Sequence, residues 1–227
     1  MRNTFLMTVV ACLLGAGALQ AIPILGPPVT QCSAIPGVGG SPNDLTFSFA
    51  IWSAANFACE QQDKIYSNFS VGAIPTDTTL RIQLQPLGAV DFHTVTVDGN
   101  FMSNFTFSYD IAVDLTLNAL NRITAVTGDL SNPSNTGAPS NTKTVFTEGG
   151  TMLGSLTSTA TNPGTTINLT QTALHVVDAY VANGGAAVAI SNTFREDLMA
   201  GVPEPVSYLL VGAGLMLVAG LRRTRRS

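Results

Sequence analysis

Side chains that could do chemistry are few and scattered in this sequence. His93 and His175 are the only histidines among 227 residues. Neither stands with a second histidine or a carboxylate in a metal-ligand motif. His175 lies in Leu174-His175-Val176-Val177, where a strand face or a packed surface accounts for it. There are three cysteines, Cys12, Cys32 and Cys59. No histidine adjoins them to activate a thiolate, and two cysteines with two remote histidines do not make a zinc ligand set. Carboxylates are commoner: Asp91, Asp98, Asp110 and Asp114 could include a glycosidase pair or calcium ligands if the fold set their separation, although a solvated acidic surface is the plainer reading. Trp52, Phe47, Phe49 and Phe57 offer the rings of a sugar-binding platform, yet Phe47 and Phe49 at i, i+2 read more simply as the buried face of one strand. The sequence contains no nucleophile elbow, zinc-protease helix, phosphate loop or dinucleotide fingerprint. The chain therefore reads as non-catalytic, with no cofactor or metal implied.

The elements that would position these residues are strands. Only 11% of the residues are charged, and Thr, Ser and Asn outnumber the two lysines by 58 to two. Long amphipathic helices need charged, helix-forming faces, so this composition favours a Thr-rich β protein. Period-two alternation marks 65–70, 79–85, 92–97, 104–113, 123–127, 144–147, 153–159, 167–172, 174–181 and 186–192. Turn residues stand at Asp63-Lys64, Asp98-Gly99-Asn100 and Asn183-Gly184-Gly185, and 131–142 reads as an exposed loop. Short strands with regular turns predict an all-β body, an antiparallel β-sandwich or jelly roll. Unequal strand lengths and spacings argue against a solenoid. A net charge of -4 and a pI near 4.9 exclude a basic nucleic-acid binder.

The two ends read as export signals. Arg2 precedes an apolar run from Phe5 to Leu19, and small residues offer cleavage after Ala18 or Ala21, as in a secretory signal peptide over 1–21. Val9-Val10-Ala11-Cys12 fits a loose lipobox, but the apolar run continues past Cys12. Loss of the signal by signal peptidase leaves Cys32 and Cys59, and two cysteines in an oxidising compartment predict one disulfide between them. The exported body, 22–201, is acidic: between residues 22 and 204 all 14 acids face five bases, Lys64, Arg81, Arg122, Lys143 and Arg195. Such a surface keeps a secreted protein soluble and could attract calcium or cationic polymers.

At the other end, Val202-Pro203-Glu204-Pro205 precedes an apolar segment, 206–221, and then Arg222, Arg223, Arg225 and Arg226. The prolines keep the motif extended, in the form proteases generally bind. Sixteen apolar residues make about 24 Å of helix, marginal against a hydrocarbon core of about 30 Å, so spanning needs flanking residues or a thinned bilayer. The arginines would stay cytoplasmic and leave the preceding chain outside the inner membrane. In this order, residues 202–227 resemble the PEP-CTERM sorting signal of Gram-negative bacteria. A second resemblance to small PEP-CTERM proteins lies in Cys59, Asp63-Lys64, Tyr66 and Ser67-Asn68-Phe69. The sorting resemblance implies that exosortase, a membrane protease, removes the tail, and that the body goes to the cell surface or extracellular polysaccharide. The expectation is a structural or adhesive protein of the envelope or matrix, with exopolysaccharide as a partner. A carbohydrate-binding or ice-binding module is the alternative, and a glycoside hydrolase using two aspartates is the third.

Overall fold

Residues that alternate between apolar and polar pack one face of a strand and wet the other, so a chain of such segments is stable only when two sheets close on each other. The computed structural model describes residues 29–88, 90–131, 137–159 and 161–198, and has this form. The signal segment 1–21 and the sorting tail 202–227, with Val202, Pro203, Glu204, Pro205 and the four arginines, lie outside the described residues. No described helix is long and apolar enough to cross a membrane.

The described strands are β1 (Gly39–Ser41), β2 (Asp44–Ser48), β3 (Cys59–Gln61), β4 (Lys64–Val71), β5 (Thr79–Leu87), β6 (Val90–Phe101), β7 (Phe105–Val113), β8 (Asn121–Ser131), β9 (Ser140–Phe146), β10 (Met152–Thr159), β11 (Ile167–Gln171), β12 (Ala173–Val181) and β13 (Ala187–Leu198). One short α-helix, α1 (Phe49–Trp52), follows β2, and a single 3-10 turn covers Cys32–Ala34. Seven strands form one sheet in the order β1-β2-β5-β6-β13-β8-β11, and six form the other in the order β10-β9-β12-β7-β4-β3. Every pairing between these strands is antiparallel. The expected two-sheet β body is thus observed. β13, the last described strand, lies between β6 and β8, so the seven-stranded sheet closes only when the C-terminal part of the body arrives.

The core between the sheets holds Leu80, Ile82, Val95, Val97, Ile111, Val126, Val145, Val176, Ile190 and Phe194, all essentially inaccessible. A train of aromatic rings fills one part of it. Phe47 meets Phe57 edge-on, Phe57 meets Phe69, and Phe69 stacks on Tyr109 with centroids 5.3 Å apart. Burying each such ring contributes on the order of 1.5–3 kcal/mol. Cys32 and Cys59 are joined as expected, pinning the segment before β1 to the start of β3.

Three local expectations are corrected. Asp98-Gly99-Asn100 is no turn: β6 continues to Phe101, because Gly99 lies so close to Thr78 and the Phe101 ring that a Cβ would meet their atoms at 2.6 and 2.8 Å. The glycine serves close packing here. Alternation over 65–70 breaks at a bulge between Ser67 and Ser70, where Asn68 takes φ +54° and Phe69 turns toward the core. β9 begins at Ser140, inside the expected exposed loop, and Asn141 is fully buried. The Asn183-Gly184 turn is as expected, with Asn183 at φ +46° and Gly184 at +73°.

Candidate functional site

The chain has two lysines, Lys64 and Lys143, and both side chains are wholly buried between the sheets. A buried ammonium must be matched by hydrogen-bonded anions or give up its proton. Each lysine marks the centre of a polar network inside the sandwich. The two networks share β13, whose inward residues Asn192, Phe194 and Glu196 alternate polar, apolar, polar, so that the Phe194 ring stands between them.

The first network forms where Gln62, at φ +59°, turns β3 into β4. Lys64 Nζ lies 2.7 Å from Asp63 Oδ1 and 2.6 Å from Glu196 Oε2 on the facing sheet. His93 Nε2 is 3.3 Å from that same Glu196 oxygen, and its Nδ1 pairs with the Tyr66 hydroxyl at 3.2 Å. Asn121 and Asn118 donate to Asp63 Oδ2 at 2.8 and 3.3 Å. Burial pushes the Asp63 carboxyl up, but the Lys64 ammonium and the Asn121 amide outweigh it and hold it below the usual range. Burial, then the charges of Asp63 and Glu196, raise the Tyr66 phenol, which stays neutral.

Asp63, His93 and Glu196 bring one ligand atom each within 4.8 Å, a spacing a divalent ion could use. The Lys64 ammonium already lies against both carboxylates, so a metal would have to displace it. The arrangement does the work of a cation clamp with the cation supplied by the chain.

The second network is simpler. Lys143 on β9 sits opposite Asp178 on β12, and Nζ lies 2.9 Å from Asp178 Oδ1. Asn141 donates to the same oxygen at 2.6 Å. Asn192, from the facing sheet, donates to Asp178 Oδ2 at 2.6 Å and to the Tyr109 hydroxyl at 2.9 Å. Burial lowers the Lys143 ammonium below its ordinary value of 10.5, with the Asp178 charge opposing. Burial, then Asp178, raises the Tyr109 phenol well above its ordinary value.

The carboxylates singled out from the sequence are not brought together. Asp91 receives a bond from Gln62, and Asp98 lies 3.7 Å from Arg81 across an exposed pair. Asp110 binds His175 Nδ1 at 2.6 Å on the outer face of the six-stranded sheet. Asp114 accepts the Thr116 hydroxyl and backbone amide, which hold its carboxyl below the usual range. Glu60, its neighbour, is raised by burial and by that neighbour. Trp52, Phe47 and Phe57 are buried in the core, and Phe49 opens α1 and packs on it, so the four do not form a platform. Both histidines do meet carboxylates, from strands remote in sequence. Apart from Asp63-Lys64, read as a turn, the members of these networks, Lys143, Asp178, Glu196 and the four asparagines, were not singled out, and their one signal is the scarcity of lysine.

Shallow grooves lie outside these networks. One, of about 450 Å³ on the seven-stranded sheet, is lined by Phe92, Ala125, Thr127, Thr166, Asn168, Thr193 and Arg195. Around it the outer face is laddered by hydroxyls, Thr94 bonding Thr193 and Thr96 bonding Ser191, each at 3.0 Å. Arg81 and Asp129 lie in register with Thr96 and Ser191, so charges interrupt the threonine rows.

No family model and no curated protein matches the sequence. Among solved structures, the chain is similar over 57% of its length to MgGH51 α-L-arabinofuranosidase bound to arabinose, at 13% identity and a TM-score of 0.31. The match spans 23% of that enzyme. TmCBM61 in complex with β-1,4-galactotriose is matched over 52% of this chain and 84% of its own, at 12% identity and a TM-score of 0.27.

Proposed function

We propose that this is an exported, non-catalytic protein of the cell surface or extracellular matrix, carrying a PEP-CTERM sorting tail and serving a structural or adhesive role. The observation that carries the reading of the body is where its reactive side chains are spent. Lys64, Lys143, His93, Asp178 and Glu196 are at most 2% exposed and are paired inside the sandwich, Lys64 with Glu196 across the sheets, Lys143 with Asp178 and His93 with Glu196 within one sheet, and they line neither of the grooves among the described residues. The polar, hydrogen-bonded outer faces suit a body that works in water or in a hydrated polysaccharide. Sorting rests on the sequence order of Val202-Pro203-Glu204-Pro205, the apolar segment and the arginines.

The test replaces Pro203-Glu204-Pro205 with three alanines in a host that encodes an exosortase. Export should persist, while the variant stays in the inner membrane as an untrimmed precursor. Trimming and release at the wild-type rate would remove the sorting assignment.

A second reading, glycan binding, is favoured by the groove at Phe92, where one ring stands beside hydroxyl, amide and guanidinium groups that suit a sugar. Titration with soluble oligosaccharides checks it. Binding that Phe92→Ala abolishes would support it, and no binding to wild-type protein would remove it.

A further inference from the structure

Lys143, Asp178 and Asn192 combine three features that an ordinary buried ion pair does not require: an amine, a carboxyl group and a primary amide converge from three strands, and the carboxyl touches both of the others. Asp178 Oδ1 holds Lys143 Nζ at 2.9 Å, and Oδ2 holds Asn192 Nδ2 at 2.6 Å. All three side chains are fully inaccessible. The amide carbonyl oxygens of Asn192 and Asn141 are buried with no hydrogen-bond partner among the described residues, so the ion pair alone leaves the cluster unsatisfied.

Room for the lysine is provided on the opposite sheet. A Cβ on Gly128 would lie 2.9 Å from Lys143 Cε and 3.7 Å from its Nζ. Gly128 is the direct cross-strand partner of Asn192. The lysine therefore crosses the core and ends over the glycine, beside the asparagine.

We propose that Lys143 and Asn192 form an intramolecular isopeptide bond, with Asp178 as the proton carrier, so that the two sheets are covalently joined. The Lys143 ammonium passes a proton to Asp178, leaving a neutral amine and a neutral acid. The Nζ lone pair then attacks Asn192 Cγ and a carbon–nitrogen bond forms. A second proton moves from Nζ to Nδ2 by way of the Asp178 carboxyl group, the Cγ–Nδ2 bond breaks, and the amide nitrogen leaves as ammonia. Nothing is oxidised or reduced, and Asp178 ends protonated. A buried charge pair is thereby replaced by a neutral amide and a neutral acid, which the interior holds at lower cost. Burial already lowers the Lys143 ammonium, in the direction the first proton transfer needs. Lys64 differs in charge: its Nζ is shared between Asp63 and Glu196, two carboxylates that hold the ammonium, and the Asn121 and Asn118 amides lie on the far oxygen of Asp63.

Asn141, two residues from Lys143 on the same strand, would close only a trivial ring, whereas Asn192 joins β9 to β13 across the core. For a matrix protein the linkage would lock the sandwich against mechanical unfolding and proteolysis.

The experiment is mass spectrometry of the full exported protein after disulfide reduction. An amide to asparagine shows as a mass deficit of one ammonia, and trypsin no longer cuts after Lys143, leaving 123–195 as one peptide. Glu148 is the only glutamate in that stretch, so cleavage there should leave 123–148 still attached to 149–195. Full mass with trypsin cutting freely after Lys143 would overturn the proposal. So would a deficit of one water, which marks an amide to Asp178, or an ammonia deficit confined to 123–148, which marks Asn141. In Asn192→Ala the deficit should vanish, and its persistence would also refute the assignment. The wild-type spectrum decides alone if that variant does not fold.

Discussion

Lys64 and Lys143 enter the same interior from the same six-stranded sheet, yet they are met differently. Lys64 stands between two carboxylates, with His93 against one of them, at the end of the sandwich where β3 turns into β4. Lys143 has a single carboxylate, Asp178, whose two oxygens also accept the amides of Asn141 and Asn192. The first site is an electrostatic clamp whose anions outnumber its lysine; the second is balanced, one lysine to one carboxylate. The difference teaches that two buried lysines in one fold need not do one job. Charge surplus holds an ammonium in place, whereas charge balance next to an amide permits it to react.

The largest effect should come from emptying the clamp. Lys64→Met leaves Asp63 and Glu196 facing each other without their shared cation, and breaking a buried pair in this way costs about 3–5 kcal/mol. Urea denaturation measures it. A loss below about 1 kcal/mol would place the site among solvent-screened pairs and erase the contrast with the surface.

Removing the disulfide should follow closely. Cys32 and Cys59 are 27 residues apart, and a loop of that length stabilises by about 3–4 kcal/mol in the chain-entropy model. Because Cys59 opens the β3–β4 hairpin, the double serine variant should lose amide-exchange protection around Lys64 before it does so around Lys143. Equal loss at both sites would mean that the sandwich opens as one unit.

Acid and alkali should separate the two networks. Asp63 is held below its ordinary value of 3.8 in the folded chain, so its contribution is complete above that value. It is lost as pH falls through the lower folded value, when the carboxyl takes up a proton and releases Lys64. An unlinked Lys143 acts with the same sign in a higher window: its folded value lies below 10.5, so stability rises as pH climbs from the folded value toward 10.5. Once joined to Asn192 the nitrogen no longer titrates. Unfolding curves from acid to alkali should therefore show the Asp63 loss in every sample and the alkaline gain only in chains of full mass.

Much of the framework was legible in the sequence because alternation and cysteine parity are local or countable signals. Residues 79–85, 92–97 and 104–113 read as strands for that reason, and Cys32 with Cys59 followed from there being no other partner. The buried networks were hidden by the same logic. Lys143 and Asp178 occupy inward positions in their strands, where period-two reading expects an apolar residue, and each looks like an exception until the other is seen 2.9 Å away. Asn141 fell within a stretch read as loop because Asn, Ser and Pro surround it. Gly99 and Gly128 mark close approaches between elements that no local turn rule reports.

The smallest effect should be found on the outer face, where the same chemistry is exposed. His175 and Asp110 lie on paired strands, at a contact of 2.6 Å that is as short as any within the core, but their side chains are 39% and 30% exposed. Distance alone would rank this pair with Lys64 and Glu196. Water decides otherwise: it screens the attraction, solvates either partner when the other is removed, and leaves no stranded charge. Asp110→Asn keeps the size of the side chain and can still bond the Asn68 amide at the β4 bulge through its carbonyl oxygen. The substitution should therefore cost less than about 1 kcal/mol in urea denaturation. A cost approaching that of Lys64→Met would show that the outer pair is structural too, and that burial does not set the difference between the polar groups of this sandwich.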